Sequence, residues 1–325
     1  MNILIFLNAK VPALQYGGTE RVVYYLAQEL IELGHNVTLL IKGITKEINI
    51  PYILYDEQIS FSSQVPQGTD IVHCHSAVPK DLNTPYVFTM HGNPKAHEKL
   101  DKNTIFVSKN HALRHGSDSY VHNGLKWSDY GEVDLENPGE YYHFLGKAAW
   151  KVKNIKGAIN IIKQLPQHLK VLGGIRFNFK MGLRFTLTPK VKFYGMVGGE
   201  EKNNLLRYSK GLIFPVRWHE PFGLAIIESL YFGAAVFGTP YGSLPEIVTD
   251  KVGFLSNNEN DIVQALKTKQ FSRYECHEYA LKYFNSQLMA ERYLEKYEQV
   301  LQNKPLNTSS PSLLQKQKSK YLDYH

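Results

Sequence analysis

The chain has 325 residues, 43% of them hydrophobic, with 24 Gly and 15 Pro spread along its length. That composition can bury the cores of one large or two ordinary domains and excludes disordered and fibrous classes, and no apolar run reaches the roughly 18 residues that a membrane-spanning helix needs. The formal charge of +7 is local: residues 1–125 carry 10 Lys+Arg against 11 Asp+Glu, residues 126–303 carry 23 against 18, and residues 304–325 carry 4 against 1.

Residues 1–8 (MNILIFLN) lack a basic start and a small-residue cleavage site, so they read as a first strand rather than a signal peptide, and the expected location is cytoplasmic. Further strands are expected at 37–41, 71–73, 86–89 and 104–107. A helix is expected over 19–33, where Val22, Val23, Leu26, Leu30 and Leu33 share one face and Gly34 ends the run. Residues 126–140 (KWSDYGEVDLENPGE) are polar, contain Gly and Pro, and read as a linker. A second series of strands follows at 142–145, 170–172, 191–194, 211–214 and 235–237. This alternation makes the chain α/β, with parallel-sheet domains at 1–125 and 141–285. A last helix over 286–303 could pack back on the first domain, and residues 304–325 read as a flexible basic tail.

Several clusters could carry chemistry. Between residues 141 and 199 stand eleven cations (Lys147, Lys151, Lys153, Lys156, Lys163, Lys170, Arg176, Lys180, Arg184, Lys190 and Lys192) and no acid, which implies an anionic partner or a solvated basic face. Gly17 and Gly18 open the first helix, where free backbone N–H groups and the helix dipole favour an anion. In FPVRWHEPFGLAIIESLYFG, residues 214–233, Pro221 is expected at the first helical position, and Glu220 and Glu228 lie roughly 12 Å apart along a helix axis. That span suits the two ends of a nucleotide sugar better than paired glycosidase carboxylates, which face one another about 5 to 9.5 Å apart. The neighbours Ile226, Ile227 and Leu230 require Glu228 to have a partner. Cys74 and Cys276 are far apart, no Asp-x-Asp occurs, and His73 and His75 have no carboxylate pair nearby, so neither a disulfide nor a metal nor another cofactor is expected.

The stretch HEPFGLAIIESLYFG resembles the Glu-x7-Glu signature of family-4 retaining glycosyltransferases. YGGTERVVYYLAQELIELGHNVTLL, DIVHCHS, FTMHGNP, FVSKN, VHNGL, GTPYGSLPEIV and VGFL extend the likeness over about residues 1–285. The resemblance implies two Rossmann-like domains facing across a cleft, the glycosyltransferase-B architecture. It also implies that Glu220 contacts the donor sugar, that Glu228 holds the ribose, and that Phe222, Gly223 and Leu224 present backbone N–H groups. Gly17 and Gly18 would face the diphosphate, and His91 would contact the transferred sugar near the reaction centre. Where the family usually has Gly-Arg, a few residues and then Lys-Gly, this chain has LGKAAWKVKNIKG. Lys147 stands at the arginine, and either Lys153 or Lys156 is the second cation.

The implied activity is transfer of a hexose, with retention and without a metal, from a nucleotide-diphosphate sugar, UDP-hexose foremost. The implied acceptor is a glycan or a lipid-linked molecule in cell-envelope polysaccharide or lipopolysaccharide synthesis, with peripheral contact to an anionic membrane and no nucleic acid. Two alternatives stand beside it: a sugar-nucleotide epimerase on the same fold, and a non-catalytic nucleotide, nucleic-acid or anionic-lipid binding protein. The second rests on the pI of about 9.0 and on RFNFKMGLRF, residues 176–185, which interleaves aromatics and cations.

Overall fold

The computed structural model describes residues 1–13, 17–179, 184–317 and 319–325; Tyr16 of the first loop and Lys180 of the basic stretch lie outside them. The chain forms two compact units, residues 1–126 with 284–316 and residues 127–283 with 317–325. In chain order the strands and helices are β1 (Asn2–Val11), α1 (Gly18–Glu32), β2 (Asn36–Ile44), β3 (Tyr52–Leu54), β4 (Ile71–Cys74), β5 (Tyr86–Met90), β6 (Thr104–Phe106) and α2 (Lys109–Leu113). These are followed by β7 (Tyr141–Leu145), α3 (Ile155–Lys163), β8 (His168–Leu172), β9 (Phe177–Asn178), β10 (Arg184–Phe185), β11 (Val191–Phe193), α4 (Gly199–Arg207) and β12 (Gly211–Phe214). The chain ends with α5 (Leu224–Tyr231), β13 (Ala235–Gly238), α6 (Leu244–Ile247), β14 (Gly253–Leu255), α7 (Glu259–Thr268), α8 (Arg273–Tyr283) and α9 (Ser286–Leu301).

In the first unit an all-parallel sheet runs β3-β2-β1-β4-β5-β6. Ile3, Leu4, Ile5, Phe6 and Leu7 are buried in succession, because a parallel sheet covered on both faces needs apolar residues on both. Helix α1 buries Val22, Val23, Leu26 and Leu30 of the face its spacing marked out, whereas Leu33, expected on that face, is the C-cap residue and 37% exposed. The second unit repeats the arrangement in the order β11-β8-β7-β12-β13-β14, again parallel throughout. With the strands of each sheet numbered in turn, both read 3-2-1-4-5-6, the doubly wound order that gathers ligand-binding loops at the carboxyl ends of the strands. In the second unit the connection from β8 to β11 carries the small antiparallel pair β9–β10.

Three expectations are corrected. The segment expected as a linker is built into the second unit from Trp127 on: Trp127 and Tyr130 are buried, and Trp127 stacks on Tyr231 with ring centres 4.4 Å apart. Aromatic burial outweighs the polar composition of its neighbours. Pro221 does not open α5, which starts at Leu224 behind Gly223 at φ 90°, so Glu220 sits in the preceding loop and a helical rise cannot measure its distance from Glu228.

The described residues of 304–325, expected as a flexible tail, are docked by polar groups together with the buried Leu306 and Pro311. Asn307 is buried and donates to the carbonyls of Lys102 (2.8 Å) and Thr104 (2.9 Å) while accepting from Ser117 Oγ at 2.5 Å. Further on, Leu322 and Arg217 exchange hydrogen bonds of 2.9 and 2.8 Å. The Tyr324 ring passes so close to Gly157 that a Cβ there would come within 2.9 Å of it.

Helix α9 belongs to the first unit. Gly124 lies against the backbone of Asn285, where a Cβ would meet Asn285 O at 2.0 Å, and Leu125 N donates to Phe284 O (2.9 Å) while Ser286 N donates to Leu125 O (3.0 Å). The two passes of the chain therefore run side by side, and glycine is the residue that fits between them.

Asn307→Ala should lower stability by about 1 to 3 kcal/mol, because it removes the side-chain donor to the buried Thr104 carbonyl and the acceptor of buried Ser117 Oγ, while the Lys102 carbonyl keeps the backbone N–H of residue 307. Urea unfolding checks this; a change within the scatter of a surface substitution would mean that the tail is not held as described.

Candidate functional site

In the second unit the candidate residues Lys147, Lys153 and Glu220 follow the carboxyl ends of β7 and β12. β12 delivers the loop 215–223, and Gly242 packs against it: a Cβ at Gly242 would lie 2.3 Å from the backbone N and O of Glu220. Ser243 N donates to Glu220 O (2.9 Å) and Ser243 Oγ to Phe222 O (2.6 Å). The GTPYGS segment thus shapes the loop that carries Glu220. Gly223, in the left-handed region, caps α5; a side chain there would be strained and would meet Ile226 Cδ1 at 2.9 Å.

Glu220 is 6% exposed, and its Oε2 accepts from Lys153 Nζ (2.6 Å) and Trp218 Nε1 (2.8 Å). The Lys153 ammonium also lies 5.0 Å from the Trp218 ring centre and 5.1 Å from that of Phe214. Lys147, half-buried after β7, stands 5.4 Å over Trp150, whose ring meets Trp218 edge-on at 6.3 Å. Lys147, Trp150, Trp218, Lys153 and Glu220 are therefore one contiguous cluster. Lys156 is not part of it: exposed in the first turn of α3, it lines a separate recess of about 240 Å³ with Lys151, Arg184, Arg217 and Tyr321.

Glu228 is 2% exposed on α5. Its Oε1 forms an ion pair with Lys202 of α4 and accepts from Tyr130 Oη at 2.9 Å. Lys202 is thus the partner that the apolar neighbours of Glu228 required, and sequence reasoning missed it. The signal was faint: Lys202, Asn203 and Leu206 form the inward side of α4, but a lysine among EEKNN reads as solvated.

In the first unit Gly17 caps α1 without a side-chain hydrogen bond. A Cβ at Gly17 would meet Ala13 Cβ at 2.6 Å and Glu20 Oε2 at 2.9 Å, so the helix entrance is tight and already has a carboxylate beside it. His91, half-buried after β5, shares a 2.8 Å hydrogen bond between its Nε2 and Nδ1 of His75, a residue that sequence reasoning did not connect with it. His75 Nε2 is buried with no hydrogen-bond partner among the described residues. An unpaired lone pair costs less there than an unpaired N–H, which favours His75 Nδ1–H as donor and leaves the His91 proton on Nδ1.

Beneath them, His73 contacts Tyr297 Oη through Nδ1 (2.7 Å) and Thr89 Oγ1 through Nε2 (2.7 Å), and Thr89 donates to Tyr293 Oη (3.2 Å). One direction of donation, from Tyr297 through His73 and Thr89 to Tyr293, satisfies the whole chain. Burial holds His73 and His75 well below the usual histidine range and lowers His91 to about 4. All three are neutral at pH 7.

Residues 132–282 match the model of the family described as glycosyl transferases group 1. AviGT4, a glycosyltransferase involved in avilamycin A biosynthesis, superimposes with a TM-score of 0.76 at 20% identity, covering 93% of this chain and 99% of that one. HepE from Anabaena, solved with UDP and glucose, superimposes with a TM-score of 0.64 at 14% identity, covering 92% and 99%. An uncharacterized 41.2 kDa protein in the cps region of Klebsiella pneumoniae is 30% identical over 115 residues, which span 33% of this chain and 32% of that protein. The two six-stranded parallel sheets and these superpositions define a protein of the glycosyltransferase-B fold. The match to the glycosyl transferases group 1 model falls within the second unit.

Lys202→Met should cost about 3 to 5 kcal/mol, since it strands a buried carboxylate, and adding Glu228→Gln should restore most of the loss. Denaturant unfolding of the single and double variants decides it; equal stability of all three would show that the pair is not buried.

Acid should weaken the first unit. The unfolded chain binds protons at its imidazoles from about pH 6.5 downward, whereas the folded His91 resists protonation until about pH 4, so stability falls as pH is lowered through that window. The slope should be about 1.4 kcal/mol per pH unit for each such imidazole. Unfolding at pH 7, 6 and 5 measures it, and His75→Asn should flatten it.

Proposed function

We propose that the chain transfers a hexose, with retention, from UDP-hexose to a glycan or lipid-linked acceptor in cell-envelope polysaccharide or lipopolysaccharide synthesis, at the cytoplasmic face of the membrane. The observation that carries this reading is the cluster of Glu220 with Lys153, Trp218 and Lys147, eight residues before a second buried glutamate on one continuous loop and helix. The cps-region relative and the UDP and glucose bound by HepE support the setting and the donor.

In this reading Glu220 accepts hydrogen bonds from hydroxyls of the transferred sugar. Phe222, Gly223 and Leu224 offer backbone N–H groups at the start of α5, and Glu228 receives the ribose. Lys147 and Lys153 meet the diphosphate. Lys153 is preferred over Lys156 for two reasons. It already faces Glu220, and it is followed by Asn154 at φ 54°, so a residue that tolerates the left-handed region stands where the Lys-Gly pattern has glycine. Gly17 and Gly18 contribute the first turn of α1, and His91 offers its Nδ1–H to a sugar hydroxyl.

The acceptor hydroxyl attacks the anomeric carbon on the face that the leaving phosphate quits. The glycosidic C–O bond breaks ahead of formation of the new one, and the departing phosphate oxygen takes the acceptor's proton. Negative charge grows on the diphosphate as the bond breaks, so cations held near it stabilise the transition state more than the ground state. No metal is required in this scheme.

Among UDP, GDP, ADP and CMP sugars, a UDP-hexose should give the largest thermal shift and the fastest slow hydrolysis, and a chelator should leave that rate unchanged. Lys153→Ala should lower turnover by about a hundred- to thousandfold, with Lys156→Ala near the wild type. Preference for another nucleotide would overturn the donor, loss of activity on chelation the metal-free scheme, and a crippling Lys156 change the assignment of the second cation.

A further inference from the structure

The β9–β10 hairpin is inside out. Along residues 175–179 and 184–187 the side chains alternate with a period of two, as strands must, but Ile175, Phe177, Phe179, Phe185 and Leu187 are the exposed set. Phe179 is 67% exposed and Leu187 81%. The polar set faces inward. Arg184 is buried over the Phe193 ring (4.8 Å) and donates to Thr186 Oγ1 (2.9 Å) and Ile175 O (2.8 Å). Arg176 donates to the carbonyls of Thr186 (2.8 Å) and Thr188 (3.2 Å).

These guanidinium bonds lock the register Asn178 opposite Arg184 and Phe177 opposite Phe185, so the apolar set cannot turn inward without stranding two arginines. Phe185 instead packs edge-on to Phe179 at 5.7 Å and lies 6.0 Å from Phe177, which joins the three rings into one apolar patch. Patches of this kind mark contact surfaces.

We propose that this face docks on an anionic bilayer surface. The charge around it selects that occupant. The hairpin lies within the stretch from 141 to 199 that contains no acidic residue, and exposed Lys192 follows it on β11. A second copy of the chain seated on the same face would bring the cations of this stretch against their equivalents, whereas anionic headgroups neutralise them. Phenylalanines with cations beside them suit the boundary between headgroups and acyl chains. The surface is independent of which sugar nucleotide is used.

The test is co-sedimentation of the full chain with phosphatidylcholine vesicles with and without phosphatidylglycerol, at low and high salt, in the absence of any sugar nucleotide. The wild type should sediment with the anionic vesicles and be released by salt. The Phe179→Ser/Leu187→Ser variant, which alters two exposed side chains, should partition at least about tenfold more weakly with an unchanged melting temperature. Failure of the wild type to bind, binding unchanged in the variant, or self-association of the wild type that the variant abolishes would each overturn the proposal, the last by identifying a second copy as the occupant.

Discussion

The second unit is organised by the need to neutralise two buried carboxylates. Glu220 and Glu228 lie on one stretch of chain and each meets a lysine from elsewhere, Lys153 from the β7–α3 connection and Lys202 from α4. Removing a carboxylate and an ammonium from water costs several kcal/mol each, and their attraction compensates only when the geometry is good, so each pair constrains the loops that supply it. Such pairs contribute more to position than to net stability. The two differ in kind, however. Glu220 shares its lysine with an indole in a loop, while Glu228 shares its own with a tyrosine inside a packed helix. The first arrangement can exchange partners with an incoming polyhydroxy anion at less structural cost than the second.

The first unit solves a different problem with neutral groups. Its sheet buries His73 and His75 next to one another on β4 and just beyond it, with ring centres 3.8 Å apart, where two imidazolium ions would repel strongly. Hydroxyls from α9 and β5 satisfy His73, and His91 satisfies one nitrogen of His75. The helix that closes the sheet therefore also sets the hydrogen-bonding pattern beneath the histidine pair.

Much of this was legible in the sequence because parallel strands buried on both faces are written as unbroken apolar runs, and α1 as a regular apolar stripe. All ten expected strands are present, with small shifts at their ends. What escaped notice has physical reasons. β3 leaves Tyr52 and Leu54 exposed and β14 buries only Gly253 fully, so neither short edge strand carries the apolar run by which a buried strand is read. The hairpin reverses the usual alternation, so its aromatics and cations resembled a surface for single-stranded nucleic acid. The tail is held by backbone carbonyls, Asn307 and the isolated Leu306 and Pro311, which leave no periodicity to detect. Lys202 and His75 take their meaning from neighbours across helices and strands, and composition carries no trace of that register. The Glu220 and Glu228 pattern, by contrast, was readable because both members lie on one local stretch.

The side-by-side passage of Gly124 and Asn285 means that neither unit is one continuous piece of chain. Each is completed by a segment synthesised after the body of the other: residues 284–316 for the first unit and 317–325 for the second. During synthesis the first sheet must therefore wait, with His73 and Thr89 lacking their tyrosines, until nearly the whole second unit has been made. For the same reason a single cut between the units does not divide the chain into two self-sufficient halves; an isolated first unit would need residues 284–316 spliced directly after Lys126.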